Sequence, residues 1–239
     1  MKKVEFFMVS RLALVALSVI CLSLIQSCSV EDEKSFEDLK TQYSLLGENH
    51  EIGLNLILEE LKKVCKESYE KDNIDQLFET VEKTSVLFTI NKLGLEPQTE
   101  KELYELQNML DIHYSKADAS QSILDMTNEQ VSFTANEVLY LSKLDDILST
   151  ACYGIDQCIS NISLLEHEIY SHCSYSEACR LFSATSIGAN SVVYWYNNYD
   201  IWYNELELSA FDMEKGIQHR EWFWSSLNRM GKADIAGGL

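Results

Sequence analysis

Residues 141–169 read LSKLDDILSTACYGIDQCISNISLLEHEI, and this stretch decides the fold class. Its apolar side chains recur at alternating spacings of three and four residues: Leu141, Leu144, Leu148, Ala151, Ile155, Cys158, Ile162, Leu165 and Ile169. This is the heptad pattern of a helix that packs one apolar seam against neighbouring helices. We therefore predict one long helix over about residues 128–172. Gly154 lies inside it, where glycine costs about 1 kcal/mol relative to alanine and marks a place for a small bend.

A second long helix is predicted directly after the first. Ser174-Tyr175-Ser176 is typical of a turn, and Ser176 followed by Glu177 suits the start of a helix that runs to about residue 208. Two long helices joined by so short a turn must run antiparallel. The chain has a single proline and no Asn-Gly or Asp-Gly pair, so hairpin signals are weak. The sequence thus predicts an all-α, elongated up-down helical bundle built around an antiparallel hairpin of about 128–172 and 176–208.

Three regions are predicted along the chain. Residues 1–27 are a signal peptide, residues 28–47 are an acidic tether with a short helix, and residues 48–239 are the helical bundle with a small-residue C-terminal tail. Within the bundle, apolar residues at helical spacing predict amphipathic helices over about residues 50–70 and 74–92.

Several boundary signals refine this division. Gly94 and Pro97 mark the clearest break, and Thr99-Glu100-Lys101-Glu102 matches a capping box. A second box is predicted at Thr127-Asn128-Glu129-Gln130. A last helix is expected over about residues 217–232, followed by small residues that either fray or belong to a longer glycine-rich segment.

The N-terminal residues have the character of a secretory signal. Lys2, Lys3 and Arg11 precede an uncharged, mostly apolar stretch, residues 12–25. That stretch is too short to cross a bilayer, which takes about 20 residues, and it is typical of the central part of a signal peptide. A plain signal peptide and an uncleaved anchor both remain compatible with this pattern.

Residues 25–34 favour a lipoprotein signal over a plain signal peptide or an uncleaved anchor. Ile25-Gln26-Ser27-Cys28 resembles a bacterial lipobox, which implies cleavage before Cys28 and attachment of diacylglycerol to its thiol. Ser29-Val30-Glu31-Asp32-Glu33-Lys34 resembles the acidic export tag of Bacteroidota surface lipoproteins, although an ordinary solvated tether has the same composition. Residues 189–239 resemble helical lipoproteins of that group to which no activity is attached. The resemblance implies an outer-membrane lipoprotein, at the cell surface rather than on the periplasmic face.

The charge of the chain restricts its partners. It has 38 acidic and 19 basic side chains, a net charge of −19. Residues 1–27 contain three basic groups and one acidic group, so their removal would leave −21. Such a surface repels phosphate backbones, which argues against a nucleic-acid partner. A basic protein or a cation is favoured electrostatically, and solubility alone is the alternative explanation.

An aromatic cluster, SVVYWYNNYDIWYNELEL at residues 191–208, has two interpretations. Its members Val192, Trp195, Tyr199, Trp202 and Leu206 lie on one helical stripe, which suits a core that packs against the 141–169 seam. The alternative is a platform that binds a glycan or a small molecule, with Trp195, Tyr199 and Trp202 as the ligand-binding residues.

The remaining candidates give little chemistry. Cys173 and Cys179 flank the predicted turn and would form a disulfide in an oxidising compartment, with reduced thiols as the alternative. His167 and His172 are five residues apart and do not share a helix face, so no metal site is predicted. No phosphate-binding loop or nucleophile motif is present, and no cofactor is implied.

These patterns favour a non-catalytic interaction module over an enzyme. The sequence therefore predicts a lipid-anchored protein of the cell envelope that contacts the membrane through Cys28 and binds a basic protein or a glycan. The alternative function is a glycan- or small-molecule-binding lipoprotein that uses Trp195, Tyr199 and Trp202.

Overall fold

The computed structural model describes ten stretches of the chain: residues 35–67, 80–81, 83–85, 87–88, 91–92, 122–127, 132–150, 154–205, 230–232 and 234–235. Five helices are defined: α1 (Phe36–Glu67), α2 (Ile123–Met126), α3 (Ala135–Ser149), α4 (Ile155–His172) and α5 (Tyr175–Glu205). The described residues near 80–92 and 230–235 are helical too, and no strand occurs in any described stretch. The predicted all-α fold is confirmed.

Several sequence predictions lie outside the described residues. These are the signal peptide, Cys28 and the acidic tether, the break at Gly94 and Pro97, the capping box at Thr99, and the last helix before residue 230. Among the helices that are described, none combines the length and the apolar character that crossing a bilayer requires.

The single helix predicted over 128–172 is wrong, because the chain reverses direction between the end of α3 at Ser149 and the start of α4 at Ile155. The backbone of Gly154 has a φ of +153°, a region that glycine enters far more readily than other residues. Lys143 Nζ lies 2.5 Å from Glu168 Oε2. In one continuous helix these two residues would be about 37 Å apart at 1.5 Å per residue. Therefore α3 and α4 are antiparallel neighbours.

The heptad seam is nevertheless confirmed as core. Its members on α3 and α4 are buried, apart from the half-buried Ile155: Leu141, Leu144, Leu148, Cys158, Ile162, Leu165 and Ile169. Cys158 Sγ lies 3.8 Å from the carbonyl oxygen of Ile147, across the α3–α4 pair. The heptad seam thus provides the core residues of two helices, α3 and α4.

The directions of the other helices follow from their contacts. Thr185 Oγ1 donates to Glu166 Oε1 at 3.1 Å, so α5 returns antiparallel along α4, which confirms the second half of the predicted hairpin. Further contacts join Ser186 Oγ to the Tyr43 carbonyl at 2.7 Å and Tyr194 to Asn55 at 3.1 Å. Residue numbers rise together in these pairs, so α1 and α5 are parallel.

Helix α1 joins two elements that were predicted as separate. The short helix over 35–47 and the amphipathic helix over 50–70 are one helix, Phe36–Glu67, which continues through Gly47. A Cβ atom at Gly47 would lie 2.8 Å from Asn190 Cβ on α5. The glycine therefore lets α1 and α5 approach closely, and it does not end the helix.

One predicted helix cap is replaced by a neighbouring residue, and a second lies mostly outside the described residues. Ser174, not Ser176, caps α5: its hydroxyl accepts from the Glu177 amide at 3.4 Å, and its own amide donates to Glu177 Oε2 at 2.8 Å. Thr127 closes α2 at its C-terminus by donating to the Ile123 carbonyl at 2.8 Å. The other residues of the capping box predicted at Thr127, residues 128–130, lie outside the described residues. The start of α3 is capped by Thr134.

The first turns of α3 and α5 are joined at Glu177. Thr134 Oγ1 donates to Glu177 Oε1 at 2.6 Å, and Ser174 Oγ donates to Oε2 at 2.8 Å. The Thr134 bond, followed by the bonds from Ser174, lowers the pKa of Glu177 to about 2. Beside it, Arg180 Nε contacts the buried Glu137 carboxylate at 2.6 Å. Helices α3 and α5 are therefore parallel and fixed at the same end.

We predict that Gly47→Ala lowers the free energy of unfolding by about 1–2 kcal/mol, because overpacking against Asn190 exceeds the gain of about 1 kcal/mol in helix propensity. Gly231→Ala is the matched control, since the nearest neighbour of its Cβ would be Val192 at 3.7 Å, an ordinary contact. Urea unfolding followed by circular dichroism measures both. Equal stabilisation by the two substitutions would show that α1 and α5 are not closely packed at Gly47.

We predict that Glu177→Gln reduces the acid sensitivity of the fold. The pKa of Glu177 is lowered from 4.5 to about 2, so its stabilising contribution is complete above about pH 4.5 and is lost as the pH falls through that interval. The Glu177→Gln variant should be less stable than the wild type at pH 6, with the difference shrinking towards pH 2. Thermal unfolding at several pH values checks this, and a difference that does not depend on pH would contradict it.

Candidate functional site

The most buried polar cluster of the described residues is centred on the Asp234 carboxylate. Its Oδ2 atom accepts hydrogen bonds from the Ser191 hydroxyl and from Trp195 Nε1, the latter at 2.9 Å. His50 Nε2 lies 3.4 Å from the same oxygen. All four side chains have a relative exposure of 0%. The cluster thus joins α1, α5 and the C-terminal segment 230–235 in the interior.

A second carboxylate fixes the same C-terminal segment. Asp145 Oδ2 accepts from Lys232 Nζ at 2.9 Å, while its Oδ1 accepts from the Ile123 amide, also at 2.9 Å. The Lys232 side chain is only 6% exposed. Asp145 therefore ties α2 and the C-terminal segment to α3. The frayed tail that the sequence allowed is wrong for the residues described here.

The Asp234 cluster has the residue types of a nucleophilic triad but not its order. Nucleophilic catalysis needs a histidine between the hydroxyl and the carboxylate, so that the ring can take the hydroxyl proton. Here Ser191 donates directly to Asp234, and His50 approaches the same carboxylate from α1. With every member closed to solvent, the arrangement suits packing and orientation of the helices and not attack on a substrate.

The aromatic residues predicted to bind a ligand are part of the core. Trp195, Tyr199 and Trp202 are 0%, 4% and 1% exposed. The rings of Trp195 and Trp202 have centroids 5.0 Å apart. The core interpretation of this stripe is therefore confirmed, and the exposed platform of the alternative is not present.

The polar edges of these rings are satisfied inside the protein. Trp202 Nε1 donates to the Tyr194 hydroxyl at 2.9 Å, and that hydroxyl donates to Asn55 Oδ1 at 3.1 Å. Burial raises the pKa of Tyr194. The sequence placed Tyr194 outside the stripe, yet it is 2% exposed. It connects the stripe of α5 to α1.

The disulfide predicted between Cys173 and Cys179 is not formed, since both residues are thiols. Cys179 is buried and Cys173 is half-buried at the turn. Burial raises the pKa of Cys173 to about 11, with smaller contributions from Glu177 and Glu137. Cys158 is a buried residue of the seam, as predicted, and burial raises its pKa to about 11. Thiols with such pKa values are poor nucleophiles near neutral pH.

The two histidines of α4 contact backbone carbonyl groups of their own helix. The Nδ1 atoms of His167 and His172 lie 3.2 Å and 2.8 Å from the carbonyl oxygens of Ser163 and Glu168. His167 also contacts the Phe36 ring, with centroids 4.1 Å apart. Among the described residues, no three side chains of histidine, cysteine, aspartate or glutamate are grouped as metal ligands.

Sequence reasoning missed His50, Ser191 and Asp234. His50 stands four residues from both Leu46 and Leu54, in phase with the buried face of α1. Ser191 similarly precedes Trp195 by four residues on α5. The sequence therefore indicates that His50 and Ser191 lie on buried helix faces. Asp234 stands in a run of small C-terminal residues, where no apolar spacing indicates that it is buried.

Comparisons of the chain with protein-family models, with curated proteins and with solved structures give no match.

We predict that Asp234→Ala lowers the free energy of unfolding by at least about 2 kcal/mol, because two buried donors lose their acceptor, each at a cost of about 1–3 kcal/mol. Asp146→Ala, an exposed aspartate on α3, is the control and should change it by less than about 0.5 kcal/mol. Urea unfolding of the full chain, followed by tryptophan fluorescence, measures both. If Asp234→Ala and Asp146→Ala changed the free energy of unfolding equally, Asp234 would not be the acceptor of buried hydrogen bonds.

Proposed function

We propose that the protein is a lipid-anchored helical interaction module of the bacterial cell envelope, which binds a partner and does not catalyse a reaction. The single observation that carries this proposal is the distribution of polar groups. The convergent ones, such as Asp234 with Ser191 and Trp195, are used inside the fold, while most of the acidic side chains of α1 face solvent.

The anchor in this proposal is Cys28. Its lipobox-like context, Ile25-Gln26-Ser27-Cys28, follows an apolar stretch too short for a membrane span. Each methylene of an attached acyl chain buried in the bilayer contributes about 0.8 kcal/mol, so a diacylglycerol group would hold the chain firmly. A membrane position without a spanning helix follows from this chemistry.

The non-catalytic part of the proposal is supported by the state of the candidate groups. Ser191, His50 and Asp234 are closed to solvent, and the thiols of Cys158 and Cys173 have raised pKa values. From these buried positions none of the three cluster residues can reach a substrate. An interaction role needs only the outer surface.

The acidic surface indicates the kind of partner. With a net charge of −19, the chain attracts basic macromolecules and repels anionic ones. The alternative, a glycan- or small-molecule-binding lipoprotein, would need Trp195, Tyr199 or Trp202 at an open surface. Their burial favours the protein–protein role.

We predict that Cys28→Ser abolishes lipid attachment when the full chain is produced in a bacterium that exports lipoproteins. Without the thiol there is no acceptor for diacylglycerol. Intact-mass spectrometry should show the wild type starting at residue 28 with an added lipid mass, and the variant should lack both the processing and the lipid.

Cys21→Ser is the matched control, because Cys21 lies within the predicted signal peptide and should leave processing unchanged. Identical lipid mass and membrane recovery for Cys28→Ser and the wild type would refute the anchor. That result would leave open whether the helical bundle binds a partner.

A further inference from the structure

The outer face of α1 carries an apolar stripe that the described residues leave exposed. Leu45, Ile52 and Leu56 are 53%, 45% and 45% exposed, although they are large aliphatic residues. Their spacing of seven and four residues places them within about 40° of one another around the helix axis, along about 16 Å of its length. We call these three residues the outer stripe.

The outer stripe lies opposite the face of α1 that builds the core. The core face contains Leu46, Leu54, Ile57 and Leu61, each at most 1% exposed. An amphipathic helix of a monomeric protein normally presents polar residues on its solvent side. Aliphatic residues repeating at heptad spacing on that side are typical of a helix that receives a second helix.

Carboxylates border the outer stripe. Glu48 and Glu59 lie on one side of it and Glu60 lies on the other. Glu48 is exposed, and the Glu59 side chain is 63% exposed. Among the described residues, no ion pair joins Glu48 to a basic side chain. The border is therefore predominantly negative.

The lysines near this face are already engaged with carboxylates. Lys62 Nζ lies 3.0 Å from Glu59 Oε1 and 3.7 Å from Glu205 Oε2. Lys63 Nζ lies 2.5 Å from Glu60 Oε1. They reduce the negative charge at the C-terminal end of the stripe, and Glu48 remains in its middle.

This charge pattern selects one occupant. A second copy of the chain would bring the Glu48 carboxylates of both copies to the same interface, where like charges are unfavourable. An anionic bilayer surface would be repelled in the same way. A cationic amphipathic helix satisfies both features, since its apolar residues cover the stripe and its lysines or arginines meet the carboxylates.

We infer that the outer stripe is the docking surface for a basic amphipathic helix of about three turns from a partner protein. This inference rests on the proposed function and names the class of its partner. In the partner helix, the apolar residues that cover the outer stripe recur at helical spacing. Basic residues lie on both sides of that apolar face.

The test uses the full lipidated chain in detergent micelles and three fluorescent 18-residue peptides. The first has leucines at helical spacing flanked by lysines, the second has the same composition in a scrambled order, and the third has glutamates in place of the lysines. Fluorescence anisotropy measures the affinities of the wild type, of Ile52→Ser/Leu56→Ser, and of Leu164→Ser. Leu164 is the matched control, because it is 63% exposed and lies on α4.

We expect the amphipathic cationic peptide to bind at least tenfold more tightly than the other two. Ile52→Ser/Leu56→Ser should weaken that binding at least tenfold, Leu164→Ser should leave it within twofold, and 1 M salt should weaken it because the screening length falls to about 3 Å. Circular dichroism of each variant verifies that the fold is retained.

The inference would be overturned if the scrambled peptide bound the wild type as tightly as the amphipathic cationic peptide does. It would also be overturned if Ile52→Ser/Leu56→Ser bound the amphipathic cationic peptide as tightly as the wild type does. Self-association of the wild type that the double variant loses, measured by analytical ultracentrifugation, would also overturn it, because the occupant would then be a second copy. Cross-linking in cells separates this from the proposed function. A partner captured equally by the wild type and the double variant would refute the surface and leave the interaction role standing.

Discussion

The buried carboxylate of Asp234 is the interaction on which the arrangement of the helices depends. It accepts from Ser191 and Trp195 of α5 and faces His50 of α1, so that one side chain connects three separate parts of the chain. A buried carboxylate without such partners would be strongly unfavourable. The position of the C-terminal segment and the spacing of α1 and α5 are therefore linked, and Lys232 on Asp145 fixes the same segment against α3.

The rest of the fold is organised around α5. Helix α4 returns along it after a short turn, α3 starts beside it at the Glu177 junction, and α1 approaches it at Gly47. The buried aromatic side chains of α5, such as Trp195, Tyr199 and Trp202, fill the interior between these neighbours. Polar edges such as Trp202 Nε1 and the Tyr194 hydroxyl bond to one another and to α1, so the large rings are oriented as well as buried. This arrangement keeps convergent polar groups such as Asp234 and its partners in the interior, and it supports the binding role proposed above.

Much of the core could be predicted from periodicity, because apolar spacing of three and four residues reports burial directly. The described members of the seam on α3 and α4, apart from the half-buried Ile155, and the stripe through Trp195 and Trp202 are buried. Periodicity could not show the reversal between α3 and α4, since two antiparallel helices that share a core have the same pattern as one long helix. Nor could it show Asp234, whose partners lie more than 180 and about 40 residues away in sequence, and whose burial depends on tertiary contacts. Nor could periodicity single out the outer stripe, because the apolar residues of the core face dominate the pattern of α1.

The central claim is that Asp234 closes the helical bundle by holding the C-terminal segment in its interior. Hydrogen exchange of the full chain, followed by mass spectrometry of peptides that cover residues 230–235 and the middle of α5, measures this directly. We predict that both peptides exchange slowly and at similar rates, because buried helical amides open only with the unit to which they belong. Rapid exchange at 230–235, at the rate of an unstructured peptide while α5 stays protected, would contradict it.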